Sequence, residues 1–157
     1  MSSSVSGWVP APFWGKLKAS VPIACVDIIV SEPTGAVLLG WRVIRPYVNV
    51  WALPGGRIRI GENLAKAARR ILSCHALTAS DFYLVGIYPI KFPSRFDISI
   101  CLAASSFSGA PKADGIEFKK IGWFRNVPKE TGVNYVKMIA KWRKIRASSE
   151  IVKLNLL

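Results

Sequence analysis

The stretch from residue 50 to residue 76 constrains the fold more than any other part of the sequence. Val50-Trp-Ala-Leu53 is typical of a short strand, and Pro54-Gly-Gly56 ends it. Over residues 62–76, apolar side chains recur at the spacing of an amphipathic helix: Leu64, Ala67, Ala68, Ile71 and Leu72. A strand, a glycine-rich loop and a helix in direct succession predict an α/β fold in which the helix packs on a sheet.

The rest of the chain adds mainly strands to this unit. Runs rich in β-branched and aromatic residues predict strands over 21–30, 36–41, 82–89, 96–104 and 118–124. The first two, joined by a turn over 31–35, are interpreted as a hairpin, and a second helix is predicted over 134–146. This order predicts a single mixed α/β sandwich over residues 16–157.

Residues 1–15 are rich in Ser, Pro and Gly, and we expect them to form an irregular N-terminal extension. Trp8, Phe13 and Trp14 lie within it, and such side chains rarely stay in water. We therefore expect the extension to pack on the domain or on a second subunit, which favours a homodimer. The sequence shows no signal-peptide pattern, and its longest apolar run, residues 21–30, is far below the ~20 residues of a membrane span. Its three cysteines are scattered and are expected to fill the core as free thiols. We therefore expect a soluble, cytoplasmic protein.

The charge of the chain points to an anionic partner. The 157 residues include 22 Lys and Arg against 9 Asp and Glu, a net charge of +13. Nucleotides and nucleic acids are candidates, and Lys137, Lys141 and Lys144 line one face of the last predicted helix. A solvated helix face is the simpler interpretation of that stripe, while Tyr135 and Trp142 are predicted to lie in the core.

The chemistry is carried by residues 51–72. Gly56, Glu62 and Arg70 have the spacing of the Nudix box, and Leu72 occupies its aliphatic position. The chain thereby resembles the Nudix hydrolases, and Val26-Asp-Ile-Ile-Val30 with Leu38–Pro46 makes it most similar to the GDP-mannose mannosyl hydrolases. The resemblance implies a Nudix α/β/α sandwich, with a mixed sheet between the box helix and a C-terminal helix. It further implies a hydrolase of a nucleoside diphosphate derivative, with a nucleotide sugar such as GDP-mannose as the expected substrate.

Three box positions depart from this pattern. Where the family has glutamates that hold a divalent metal, this chain has Ile71, Cys74 and His75. The late loop over 111–117 also lacks the histidine that the mannosyl hydrolases use as a base, and offers Asp114 and Glu117 instead. Activity is therefore expected to be weak or lost, and the alternative is a non-catalytic module that binds nucleotide or nucleic acid.

The resemblance assigns candidate roles to the remaining residues. Glu62 and Arg70 are expected to form a structural ion pair. The substrate-binding candidates are Arg42, Arg45 and Arg57, the catalytic candidates are Asp27, Arg57 and His75, and the candidate ligands of Mg²⁺ or Mn²⁺ are Gly56, His75 and Glu117. Two assignments stay open. Asp27 is either catalytic, or an edge position of its strand or a partner for an arginine. His75 is either a ligand or base, or a helix-end histidine.

Overall fold

The computed structural model describes residues 9–104 and 106–148. The helices are α1 (Ala11–Ser20), α2 (Leu64–Ser73) and α3 (Val133–Ser148). The strands are β1 (Ile23–Ile29), β2 (Val37–Arg42), β3 (Val50–Ala52), β4 (Gly55–Arg57), β5 (Phe82–Phe92), β6 (Arg95–Ala104) and β7 (Phe118–Phe124). The predicted Nudix α/β/α architecture, with mixed strands and helices, is confirmed.

The strands form two sheets. The four-stranded sheet has the order β4-β1-β6-β5, with β1 parallel to β6 and the outer pairs antiparallel, whereas β3-β2-β7 is an antiparallel sheet of three. The predicted hairpin of the first two strands is wrong, because β1 and β2 belong to different sheets and only a bridge from Ser31 to Val37 joins them. Apolar side chains on both faces of β1 suit a central strand rather than one arm of a hairpin.

The two faces of β1 explain where the site lies. Val26 and Ile28 face a core that includes the apolar stripe of α2, whereas Ile29 faces a second core with Tyr135 and Met138 of α3. Asp27 shares its face with Ile29, since side chains two apart point the same way. The face packed by α3 is thus apolar at one end and polar at the other, and a cavity opens over the polar end.

Two elements were not predicted from the sequence. Residues 11–20 form α1, so the expectation of an irregular extension is wrong for residues 11–15, and the expected boundary after residue 15 falls inside a helix. Gly55–Arg57, interpreted as a strand stop, forms β4 and pairs with β1. Trp8 and the residues tested for a signal peptide lie outside the described part of the chain. Among the residues described, no helix has the length and apolarity needed to cross a bilayer.

Candidate functional site

A cavity with a volume of about 850 Å³ lies over the start of the four-stranded sheet. Its floor is built from neighbouring strand positions, because Asp27 pairs with Gly55 of β4 and Cys25 pairs with both Arg57 and Ser99. Helix α1, the loop after β2 and the C-terminal end of α2 form its walls. The Nudix-box loop and the central strands β1 and β6 therefore line the same cavity.

Asp27 is a buried carboxylate of this floor, with 7% of its surface exposed. The Ser99 hydroxyl donates a hydrogen bond to its Oδ2. Burial raises the pKa of Asp27 from 3.8 to about 6, against the opposing effects of the Ser99 hydrogen bond and the positive charge of Arg42. A Cβ on Gly55 would overlap Oδ1 of Asp27, so the glycine gives the carboxylate its space. An aspartate with this pKa is a stronger base than an exposed one.

The box ion pair is present. Arg70 donates from Nε to Oε1 of Glu62 at 2.6 Å and from Nη2 to Oε2 at 2.9 Å. The same Nη2 reaches the carbonyl of Arg57 at 2.8 Å, and Glu62 also accepts from the backbone N–H of Arg59. The hydrogen bonds from Arg70 lower the pKa of Glu62, so the carboxylate stays ionised. This network ties α2 to the loop that carries Arg57.

The three arginines expected to bind substrate all line the cavity, but their surroundings differ. Arg42 forms an ion pair with Glu117 and donates to the carbonyls of Ile44 and Arg45. Arg45 is exposed at the rim. Arg57 lies on the floor under Trp14, with its guanidinium carbon 3.9 Å from the ring centroid. Burial, and then the positive charge of Arg95, lower the pKa of Arg57.

The contacts of His75 are those of a histidine with a structural role. Its ring is buried, stacks on Phe118 with centroids 5.0 Å apart, and places Nδ1 3.3 Å from the carbonyl oxygen of Lys112. Burial lowers its pKa, which favours the neutral ring. Neighbouring Cys74 is exposed, with Sγ donating to the carbonyl of Arg70, so the expectation of a core filler is wrong for this cysteine.

The residues expected to hold a metal do not form a ligand set. Glu117 is paired with Arg42, His75 stacks on Phe118 in the core, and Gly56 has only a backbone carbonyl oxygen to offer. Within residues 9–104 and 106–148, no group of three His, Cys, Asp or Glu side chains is placed to hold a metal ion. Mg²⁺ and Mn²⁺ prefer several oxygen ligands, so the donors present do not fit the divalent ion of the family.

The sequence patterns missed a second ion pair in the cavity. Arg95 donates to both oxygens of Asp97 at 2.7 and 2.5 Å, and Cys25 Sγ lies 3.8 Å from Oδ2 of the same carboxylate. Burial raises the pKa of the Cys25 thiol to about 12, so this thiol is not a nucleophile. The available signal was a polar residue at alternate positions of an apolar strand, which Asp97 and Ser99 share on β6.

The basic stripe of α3 lies away from this cavity. Lys137, Lys141 and Lys144 are exposed, whereas Tyr135 and Trp142 are buried. The prediction that these two aromatic residues belong to the core is confirmed. They are therefore not a stacking surface for bases.

Comparisons with known proteins agree with this geometry. A MutT NUDIX hydrolase from Burkholderia pseudomallei superposes with a TM-score of 0.73 over 78% of this chain and 98% of that one, at 19% identity. The NUDIX domain of Shewanella oneidensis NrtR, solved with ADP ribose, gives a TM-score of 0.68 over 87% and 98% of the two chains, at 17% identity. Both likenesses concern the fold.

A sequence relative is the low-salt glycan biosynthesis protein Agl8 of Haloferax volcanii, 35% identical over 63 residues. The match covers 40% of this chain and 40% of that protein's length. The family model of the NUDIX domain matches residues 21–127, which is more than half of the chain and includes both central strands and the whole box. The chain belongs to the Nudix family.

Proposed function

We propose that this chain hydrolyses a nucleoside diphosphate derivative in the cavity, and that the substrate is a nucleotide sugar such as GDP-mannose. Nudix family members are hydrolases, which supports the reaction class. The observation that carries the proposal is Asp27, a buried carboxylate with a pKa of about 6 on the floor of a cavity lined by arginines. This arrangement provides a base beside a binding site for anions.

The chemistry that suits these groups is attack of water at the sugar carbon. The water oxygen forms a bond to that carbon while its proton moves to the Asp27 carboxylate. The bond from the sugar carbon to the diphosphate oxygen breaks, and its electron pair leaves with the diphosphate. This leaving group needs no proton at neutral pH, so neutralisation by Arg57 and Arg45 is the help it requires.

The substrate class has support from the relatives. One is named for glycan biosynthesis, and one structural neighbour was solved with ADP ribose, a nucleoside diphosphate joined to a sugar. The volume of about 850 Å³ is of the size that such ligands occupy. GDP-mannose is the first substrate to test, because the strand and loop around Asp27 and Arg42 resemble the mannosyl hydrolases.

A second candidate is a non-catalytic module that binds the same class of nucleotide. It is favoured by Ile71, Cys74 and His75, which replace three box carboxylates with groups that are buried or engaged with the backbone. A cavity with this lining retains the means to bind an anion. It lacks the usual means to activate water at the box.

The test is a turnover screen over GDP-mannose, GDP-glucose, ADP-ribose and nucleoside di- and triphosphates, each with Mg²⁺, with Mn²⁺ and with EDTA. Asp27→Asn, purified identically, serves as the matched control because it keeps the shape of the side chain and removes the base. The proposal expects turnover that this variant lacks, and ¹⁸O from labelled water in the sugar product. Label in the phosphate product would refute attack at carbon. Equal rates in both proteins, with binding retained, would favour the non-catalytic module.

A further inference from the structure

We infer that the diphosphate of the ligand is bound by guanidinium groups alone, with no divalent cation between it and the protein. The inference rests on the proposed function for the class of ligand. It goes beyond that function because it removes the cofactor on which Nudix hydrolases generally depend. Three features of the cavity carry it.

The first feature is the set of side chains that α2 and the turn after it present toward the Nudix-box loop. These side chains, Ile71, Cys74 and His75, contain no oxygen atom. Ile71 is buried in the core, and the Cβ that Gly56 lacks would lie 3.6 Å from its Cδ1. Cys74 and His75 are each engaged with a backbone carbonyl. The box positions that are glutamates in the family therefore present a methyl group, a thiol and an imidazole ring whose pKa burial lowers. A hard cation would lose more hydration free energy by releasing its water ligands there than it would gain by binding to these groups.

The second feature is that the carboxylates around the cavity already have partners. An arginine, a hydroxyl or a set of backbone N–H groups donates to each one, whereas a metal ligand must present its lone pairs to the ion. Glu62 is paired with Arg70, Glu117 with Arg42 and Asp97 with Arg95, while Asp114 accepts from the N–H groups of residues 116, 117 and 118. Asp27 is held by Ser99 and has a pKa that burial raises to about 6.

The third feature is an excess of positive charge in the lining. Six arginines and four carboxylates contact the cavity: Arg42, Arg45, Arg57, Arg59, Arg70, Arg95, Asp27, Asp97, Asp114 and Glu117. Burial and then the charge of Arg95 lower the pKa of Arg57, and Arg59 and Arg70 each lower it further by less than Cys25 opposes. A diphosphate placed here would relieve the repulsion that a metal ion would increase.

Trp14 makes Arg57 suited to this task. Its ring covers one face of the guanidinium at 3.9 Å, and it lies 5.9 Å from the guanidinium carbon of Arg95. Stacking engages the face of the planar group, whereas phosphate oxygens bind at its N–H edge. Trp14 is thus a positioning residue, which reduces the conformational freedom that Arg57 loses when the ligand binds.

The test is titration calorimetry with GDP, once in EDTA and once in excess Mg²⁺. We expect GDP to bind in EDTA, and to bind no more tightly with Mg²⁺, because the magnesium complex of GDP carries less negative charge. Arg57→Ala is expected to weaken binding in EDTA about 10- to 100-fold, the effect of losing charge-assisted hydrogen bonds. Arg146→Ala, which removes the same charge from an exposed position on α3, is the matched control and should bind as the parent does.

Three further variants separate charge, geometry and folding. Arg57→Lys keeps the charge without the fork and is expected to recover only part of the affinity. Trp14→Leu should weaken binding and Trp14→Phe should restore it, with thermal unfolding followed in parallel to show that each protein is folded. Binding that requires Mg²⁺ would overturn the inference and leave the proposed function standing. Binding in neither condition would overturn both, and full affinity in Arg57→Ala would overturn the assigned role of the guanidinium.

Discussion

Replacement of Asp27 by Asn tests the site most directly, because the structure predicts opposite effects on stability and on activity. Burial raises the pKa of Asp27 in the folded protein to about 6, while the ordinary value of 3.8 applies to the unfolded chain. The folded state therefore binds the proton more tightly than the unfolded state does. Between these two pKa values, the free energy of unfolding falls as the pH rises.

The magnitude follows from that difference. About two pH units separate the two pKa values, and a shift of one unit corresponds to about 1.4 kcal/mol. The ionised carboxylate of Asp27 therefore lowers the free energy of unfolding by about 3 kcal/mol at neutral pH. Asn has the same shape, carries no charge and can still accept from the Ser99 hydroxyl. Asp27→Asn is therefore expected to be more stable than the parent by up to about 3 kcal/mol at about pH 7.5, and by little below about pH 4.

The assay is urea unfolding of both proteins across this range of pH, with turnover measured on the same samples. Glu130→Gln, at an exposed carboxylate outside the cavity, controls for changes in net charge. The expected outcome is a variant that is inactive and stabilised, with the gain growing as the pH rises. A variant that is less stable than the parent at neutral pH would show that the surrounding arginines outweigh burial. The assignment of Asp27 as a base with a raised pKa would then be wrong.

Three further predictions concern the surroundings of the site. Gly55→Ala places a Cβ against the carboxylate of Asp27 and should lower the free energy of unfolding by about 1–3 kcal/mol. Gly15→Ala, in α1 with open space around it, is the control and should cause no loss of stability. Equal losses in the two variants would refute the argument from crowding. Arg70→Gln should lower the free energy of unfolding by about 1 kcal/mol, and this loss should fade at low pH as Glu62 is protonated. The reason is that the pKa of Glu62 is lowered only while the ion pair exists. A loss that is independent of pH would show that Arg70 stabilises the fold through packing instead. His75→Phe keeps a stacked ring in the core and should fold with unchanged turnover, so a folded but inactive variant would give His75 a catalytic role.

The sequence predicted the large elements well because their patterns are local. Strand and helix periodicity placed β1, β6, β7, α2 and α3 within a few residues of their observed bounds. The misses have separate physical causes. Helix α1 has proline and glycine among its ten residues and no buried side chain, so it shows no apolar stripe. Strand β4 is held by pairing with β1 rather than by its own composition, since two of its three residues are glycine.

The site was less predictable, because it depends on pairing across the sheet. Arg42 and Glu117 were expected to have separate roles, and the fold joins them in one ion pair. Asp97 and Ser99 became part of the site only when the parallel pairing of β1 with β6 placed them beside Cys25 and Asp27. The spacing of residues along a single strand carries no information about its neighbour.

The contact between Trp14 and Arg57 has a practical consequence for anyone who expresses this protein. The family match begins at residue 21, so an expression clone trimmed to the matched residues would start after the whole of α1. Such a clone would contain every box residue and still lack one wall of the cavity. The bounds of the family match and of the cavity differ in this chain.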